Sequence, residues 1–353
     1  MTIHNRNSYF AAANSRGGFI SFFDDIFSKN ELERLYIIKG GSGTGKSRLM
    51  RDIAESAESI GEQVEYFYCS SDPSSLDGVI LTDRRIGIID GTPPHTAEPK
   101  LPGCFDFIIN LGVFWDASRL VDKKREIKAL CAQKSELYKR AYSYLSVAGD
   151  ITELYDDMIK PYIKTEKLDG WANRFCRRFE STGEYRVRIR LSCGISALGK
   201  TRLDGVYDRA KTRYLISDTP HMSHLVLKAV HEKLKEKRVS HTVSYDPLDT
   251  RKLDAVYIDD ADVSFIPICE GRECLADDFI INAERFFDKN AFRSERVSAR
   301  QALRCASLMT DAASSTMKKI YALHTSLESV YIQSMDFKAK EEYTKVLISE
   351  ILG

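Results

Sequence analysis

The sequence predicts an α/β protein assembled from two copies of one module, and three observations predict it. The first is an ordered set of internal matches. Phe107-Ile108-Ile109-Asn110 followed by Phe114-Trp115-Asp116 returns 172 residues later as Phe279-Ile280-Ile281-Asn282 followed by Phe286-Phe287-Asp288. Asp72-Pro73 matches Asp246-Pro247 at an offset of 174, Leu76-Asp77-Gly78-Val79 matches Leu253-Asp254-Ala255-Val256 at 177, and Tyr36-Ile37-Ile38 matches Tyr214-Leu215-Ile216 at 178. Four matches in one order point to duplication. The second observation is that short apolar runs alternate with helical stretches in both halves. The third is a glycine-rich loop between a strand and a helix, present in the first half and lost from the second.

Taken in order, each half starts with an apolar strand (Leu35 to Lys39; Tyr214 to Ser217) leading into a helix. A second strand (Val64 to Cys69; Thr242 to Tyr245), an Asp-Pro loop, a Leu-Asp turn and a further strand (Ile86 to Asp90; Val263 to Ile268) follow. A small, mainly parallel sheet is expected from this alternation. A long helical tail closes each half. In the first, Leu120, Ile127, Leu130, Leu137, Ala141 and Tyr144 recur at helical spacing. That predicts a helix of about 30 residues, roughly 45 Å long, ended by Gly149-Asp150, with a second helix running to Phe179. The second tail, Ala291 to Leu352, has neither Pro nor Gly. A helical hairpin or antiparallel coiled coil fits both. The copies divide at residues 1–185 and 186–353.

Bulk composition agrees. A chain of 353 residues divides into two domains at about 150 residues each. With 43% hydrophobic and 29% charged residues it can bury a core, which excludes disorder as the dominant state. The 52 Lys and Arg against 51 Asp and Glu argue against a chain that coats nucleic acid or anionic membrane. No uncharged apolar run reaches membrane-spanning length, and residues 1–20 lack a signal core. A cytoplasmic, reducing location is expected, with the eight cysteines free and no CxxC pair. Cys269 and Cys274 have no second pair at zinc-ligand spacing and read as small buried residues.

Gly40-Gly41-Ser42-Gly43-Thr44-Gly45-Lys46-Ser47 completes the phosphate-binding pattern GxxxxGK[ST]. An apolar strand precedes it and a helix, Arg48 to Ile60, follows. Glycines let backbone N–H groups converge on an anion, and the helix N-terminus adds partial positive charge. Residues 40–48 are therefore the candidate nucleotide contacts. Lys46 is expected at the β- and γ-phosphates and Ser47 on Mg²⁺. Asp90, at the end of Ile86-Gly87-Ile88-Ile89, is the candidate Walker B carboxylate for the same metal. In Gly91-Thr92-Pro93-Pro94-His95, the prolines stiffen the loop. His95 then either meets the γ-phosphate, as sensor, water-orienting group or general base, or is a solvated surface residue. Asp72 either contacts water, acceptor or metal at the strand ends, or merely starts a turn before Pro73. Gly91 stands where many ATPases carry a catalytic Glu, so turnover is expected to be slow.

In the second half the aligned stretch is Asp218-Thr219-Pro220-His221-Met222-Ser223-His224-Leu225, with His224 and Leu225 at the places of Lys46 and Ser47, and Pro267 near that of Asp90. Without glycine it cannot form the same anion cradle, and His221 and His224 read as solvated. The richest basic run, Arg174, Arg177 and Arg178 and then Arg186, Arg188 and Arg190, lies where the copies join. It is either a solvated strand face or a contact for phosphate or nucleic acid, including an arginine-finger role.

The segments Ile37 to Met50, Cys69 to Ile80, Ile88 to His95 and Phe107 to Gly112 together resemble a family of uncharacterised bacterial P-loop ATPases found mainly in spore-forming Firmicutes. The resemblance spans about the first 116 residues. It implies a duplicated P-loop NTPase module, often with a phosphate loop in both halves, and it names a class rather than a reaction. The departure here is the lost second loop. The leading expectation is Mg²⁺-dependent ATP binding with slow hydrolysis, coupled to the helical tails, with Lys46, Asp90, His95 and Asp72 as the reacting set. A small-molecule or nucleotide kinase and a nucleotide-gated scaffold with negligible turnover are the alternatives. No NKxD guanine motif is present, although the loop alone leaves GTP open. A protein partner or a homo-oligomer is left open; a membrane is not expected and nucleic acid is not favoured.

Overall fold

The computed structural model describes residues 7–180, 183–203, 205–218, 221–268 and 274–353. Thr219, Pro220 and Cys269 lie outside them. The first half runs β1 (Ser8–Phe10), β2 (Ala12–Ser15), β3 (Gly18–Ser21), α1 (Phe23–Ile26), β4 (Arg34–Lys39), α2 (Lys46–Ser59), β5 (Val64–Tyr68), β6 (Leu76–Leu81), β7 (Ile86–Asp90), β8 (Asp106–Asn110), α3 (Ala117–Asp122), α4 (Lys124–Ile159) and α5 (Thr165–Cys176). The second repeats it as β9 (Val187–Ile189), β10 (Cys193–Ser196), β11 (Gly199–Arg202), α6 (Val206–Arg209), β12 (Thr212–Ser217), α7 (Ser223–Glu236), β13 (His241–Tyr245), β14 (Leu253–Ile258), β15 (Val263–Pro267), β16 (Phe279–Asn282), α8 (Arg296–Ile332) and α9 (Phe337–Leu352). Each half carries a six-stranded sheet, in the matching orders β1-β5-β6-β7-β4-β8 and β9-β13-β14-β15-β12-β16. The duplication holds strand by strand, and the helices match except that α3 is replaced by a 3-10 turn, Ala291–Ser294. Even the tight β6–β7 and β14–β15 turns both end on a left-handed residue, Arg85 and Asp262.

The sheets are mixed rather than mainly parallel. β1–β5, β4–β7 and β4–β8 are parallel, but β6 runs antiparallel to both β5 and β7. That strand is the stretch whose Leu-Asp-Gly reads as a turn in the sequence. It is buried along its whole length, and Asp77 is accommodated because its carboxylate meets His95. The equal loops 69–75 and 246–252 pair Asp72 with Asp249, not Asp246. Likewise α2 and α7 start at Lys46 and Ser223, so Ser223 and His224, rather than His224 and Leu225, stand at the places of Lys46 and Ser47. The one-residue slip arises because 218–222 is shorter than 40–45.

The tails depart furthest from expectation. Gly149 does not end a helix: α4 passes through it for 36 residues, about 54 Å at 1.5 Å per residue. A Cβ at Gly149 would lie 2.5 Å from the Cβ of Arg16, whose guanidinium binds Asp150 and Glu153 at 2.6 Å each. Neither tail folds back on itself as a hairpin of its own half. α4 instead pairs antiparallel with α8. Lys134 faces His324, and Ala141 and Leu145 pack with Ala313, Met317 and Ile320.

The shorter helices are exchanged. α5 sets Leu168, Trp171 and Ala172 against Val226, Leu227 and Val230 of α7. α9 sets Leu347 and Ile351 against the Leu49, Met50 and Ile53 face of α2. Each such side chain contributes about 1.5–3 kcal/mol by leaving water, so each half completes its core with a helix from the other. β1 and Leu191 bridge the halves through Phe10 N–H to Leu191 C=O at 2.8 Å. Buried Asn14 donates to Ile195 C=O at 2.9 Å and accepts from Tyr142 at 3.0 Å.

Candidate functional site

The carboxyl ends of β4, β5 and β7 meet the N-terminus of α2 at one sheet edge. β4 is apolar because it is central, flanked by β7 and β8, with Leu35 to Ile38 buried. Its chain leaves the sheet through the loop 40–45, where Gly43 (φ +72°) and Gly45 (φ +80°) take a backbone conformation that side chains resist. α2 then begins at Lys46. The Lys46 ammonium donates to Gly41 C=O at 2.8 Å and Gly40 C=O at 3.2 Å, and stands 3.5 Å from Asp90 Oδ2. Ser47 Oγ accepts from Leu76 N–H at 3.0 Å.

Asp90 ends β7, beside β4 in parallel register. Its Oδ1 accepts from Thr92 N–H at 2.9 Å and Thr92 Oγ at 2.6 Å. Burial pushes its carboxyl above the usual range, and Lys46 and Thr92 only partly offset this. The two residues the sequence joined by loop and strand are thus brought together, with one carboxylate oxygen left toward the ammonium.

His95 is not a solvated loop residue. It is buried, its Nε2 lies 2.9 Å from Asp77 Oδ2, and its ring is held between Phe19 and Phe23 at centroid distances of 5.0 and 4.8 Å. Burial by itself would lower its pKa, but Asp77 outweighs burial and raises it. Its Nδ1 is buried without a hydrogen-bond partner. Cys69, at the end of β5, brings its thiol to the same floor: donor atoms of Cys69, Asp77 and His95 lie within 4.8 Å of one another. Asp72 makes a turn, its Oδ1 accepting from Ser74 N–H at 3.0 Å and Ser74 Oγ at 2.6 Å, and it stands on the rim. Arg48 points outward and pairs with Asp52 at 2.7 Å.

A cavity of about 1060 Å³ joins these groups, lined by residues 39–48, Asp72, Asp77, Asp90 and His95. Its roof comes from the long helices, with Lys134 and Tyr138 of α4 and His324, Glu328 and Tyr331 of α8. No sequence signal singled these out, because they converge only through the α4–α8 pairing; Asp77 was hidden inside an apparent turn.

The second-half counterpart carries a carboxylate of its own at the helix start. Asp218 accepts from Ser223 N–H at 2.7 Å and Ser223 Oγ at 2.8 Å, which places a carboxylate on the first turn of α7. His224 is not solvated: burial lowers its pKa to about 4, and Asp156 of α4 lies 3.9 Å away, itself ion-paired to Lys252. His221 sets its ring edge-on to Tyr155.

The basic run resolves into a seam. Arg190 is buried, grips Glu65 of β5 through Nε and Nη2 at 3.0 and 2.8 Å, and lies over Phe67. Arg188 reaches Asp259 at 3.0 Å and Glu31 at 3.4 Å, while Arg186 pairs with Glu184. Arg174, Arg177 and Arg178 are exposed, with Arg178 stacked on Phe175. Arg178, Arg186, Arg188 and Arg190 are thus engaged within the chain, whereas exposed Arg174 and Arg177 fit the solvated alternative. Cys274 is exposed, not buried. No helix among the described residues is long and apolar enough to cross a membrane. No family model, no curated protein and no solved structure matches this chain.

Proposed function

We propose that the first half binds a nucleoside triphosphate with Mg²⁺, ATP before GTP, and hydrolyses it slowly, and that the second half serves as its structural partner. The observation that carries this reading is the juxtaposition of Lys46 with Asp90 at 3.5 Å at the mouth of a strand–loop–helix whose glycines Gly43 and Gly45 are left-handed. Such a loop leaves N–H groups and the start of a helix facing an anion. Lys46, whose partners among the described residues are two loop carbonyls and Asp90, can swing onto a phosphate.

The donor set fits Mg²⁺. Ser47 supplies a hydroxyl and Asp90 a carboxylate whose Oδ2 has no hydrogen-bonded donor, and hard oxygen ligands suit that ion. When bound, the metal would neutralise charge on the phosphates. Thr92 holds Asp90 by two hydrogen bonds and so orients the free oxygen. The raised Asp90 carboxyl indicates a group that gains from an incoming cation. His95, tied to Asp77 through Nε2 and held between Phe19 and Phe23, is part of the wall rather than a mobile base. With Gly91 after Asp90 and His95 tied to Asp77, no side chain among those described is set to strip a proton from water, which supports slow turnover.

The contact of α8 with the loop also favours the scaffold reading, in which binding moves helices with negligible turnover. MgATP titration of the native chain and of Lys46→Ala, with phosphate release followed in parallel, separates these. Binding lost in Lys46→Ala supports the site; equal affinity in both removes it. Release at well under one turnover per hour selects the scaffold.

A further inference from the structure

The loop that faces the cavity has a carboxylate for a neighbour. Glu328, on α8 of the second half, lies over Gly43 and lines the same cavity as the loop. The helix is so close that a Cβ on Gly43 would lie 2.8 Å from Glu328 C=O and 3.0 Å from Ile332 Cγ1. Glu328 Oε1 is 3.6 Å from His324 Nε2, and His324 Nδ1 is 3.2 Å from the Lys134 ammonium on α4. Lys46 lies within charge range of Glu328 and Lys134.

We propose that Glu328 is an internal stand-in for a phosphate: in the ligand-free chain its carboxylate stands in the cavity beside the anion-binding loop, and a nucleoside triphosphate binds by displacing it, which leaves Lys134 to the incoming phosphate and shifts α8. The inference rests on the reading of the site as a nucleotide site and adds what competes with the nucleotide there.

Three observations support an exchange rather than a permanent lock. Glu328 is a poorly served anion: burial and the neighbouring Asp72 raise its carboxyl, outweighing Lys46 and Gly43. A polyphosphate brings more charge and more acceptor oxygens to the same donors. Lys134 is a poorly served cation. Burial lowers its pKa, and its hydrogen-bond partner is the His324 ring, which burial pushes down to about 4 and so keeps neutral. Displacing Glu328 thus removes a strained anion and gives Lys134 a true counterion. Finally, the second half also sets a long-helix carboxylate near its own loop–helix start. At the 172-residue offset relating α4 to α8, Glu328 corresponds to Asp156, which faces His224 at the start of α7.

The test is calorimetric MgATP binding to the full chain as native, Glu328→Gln, Lys134→Ala, Lys134→Arg and Lys46→Ala, with amide exchange of residues 324–332. Removing the competing charge should tighten MgATP by about tenfold in Glu328→Gln, as expected if roughly one native molecule in ten has the loop free. A folding defect cannot produce that gain. Lys134→Ala should weaken MgATP by about tenfold while Lys134→Arg restores it, and MgATP should speed exchange in 324–332 of the native chain. If Lys46→Ala abolishes binding but Glu328→Gln binds no tighter, the exchange is wrong and the nucleotide site stands. If neither the native chain nor Glu328→Gln binds nucleotide, the site itself is wrong.

Discussion

The two loop–helix junctions started from one design and reached opposite solutions to the same electrostatic problem. A helix start leaves N–H groups unpaired and attracts an anion. In the second half the anion is Asp218, five residues from the Ser223 it binds, so the contact is local and always made. In the first half the loop's glycines keep the backbone open, and Glu328, carried by a helix from the other half, lies over Gly43. A local cap closes a site; a remote one can leave. A large cavity adjoins the first loop, whereas at the second junction Asp156 of α4 lies 3.9 Å from His224 and Tyr155 meets the exposed His221 ring edge-on.

The contrast can be broken in several places. The largest effect is expected where the halves are joined. Arg190→Ala leaves half-buried Glu65 without its partner and should cost about 2–3 kcal/mol, read as a lower denaturation midpoint; a loss below about 0.5 kcal/mol would mean that the seam is carried by apolar contacts alone. Next comes the site. Lys46→Ala should weaken MgATP at least a hundredfold, about 2.7 kcal/mol, whereas Ser223→Ala, at the matching position of α7, should leave affinity within twofold. Asp218→Ala should destabilise by about 1 kcal/mol, the usual cost of removing a carboxylate from a helix start, without changing nucleotide affinity; altered affinity would show that the second junction is not silent.

The smallest effect is pH-dependent. Because the folded His95 pKa is raised, its charged pairing with Asp77 is fully present below the ordinary histidine value and is lost as pH rises through the raised value. His95→Gln should therefore destabilise the chain more at pH 6 than at pH 9. Equal losses at both would show that His95 contributes only packing against Phe19 and Phe23.

What the sequence made legible was local. The strand–loop–helix around Gly40 to Ser47 could be placed because an apolar run, a glycine cluster and a helical run follow one another, and Asp90 because an apolar strand ending in Asp is a local pattern. The duplication was visible through matches such as Phe107 to Asn110. Register was not: a one-residue difference in loop length moved the partner of Lys46 from His224 to Ser223. β6 was missed because Asp77 and Gly78 look like a turn until His95 takes up the carboxylate. The exchange of α5 and α9, and the roof of Lys134, His324 and Glu328, could not be read at all. Helical periodicity names a face to bury but not the helix that buries it, and α4 serves α8 as well as any hairpin of its own. Arg190 looked like a solvated charge because its partner, Glu65, lies 125 residues away.

The claim that matters most is that one junction takes nucleotide and the other does not, and the stoichiometry of MgATP binding tests it most directly. One nucleotide per chain, lost in Lys46→Ala and retained in Ser223→Ala, is the predicted result. Two nucleotides per chain, or one that survives Lys46→Ala, would contradict the account.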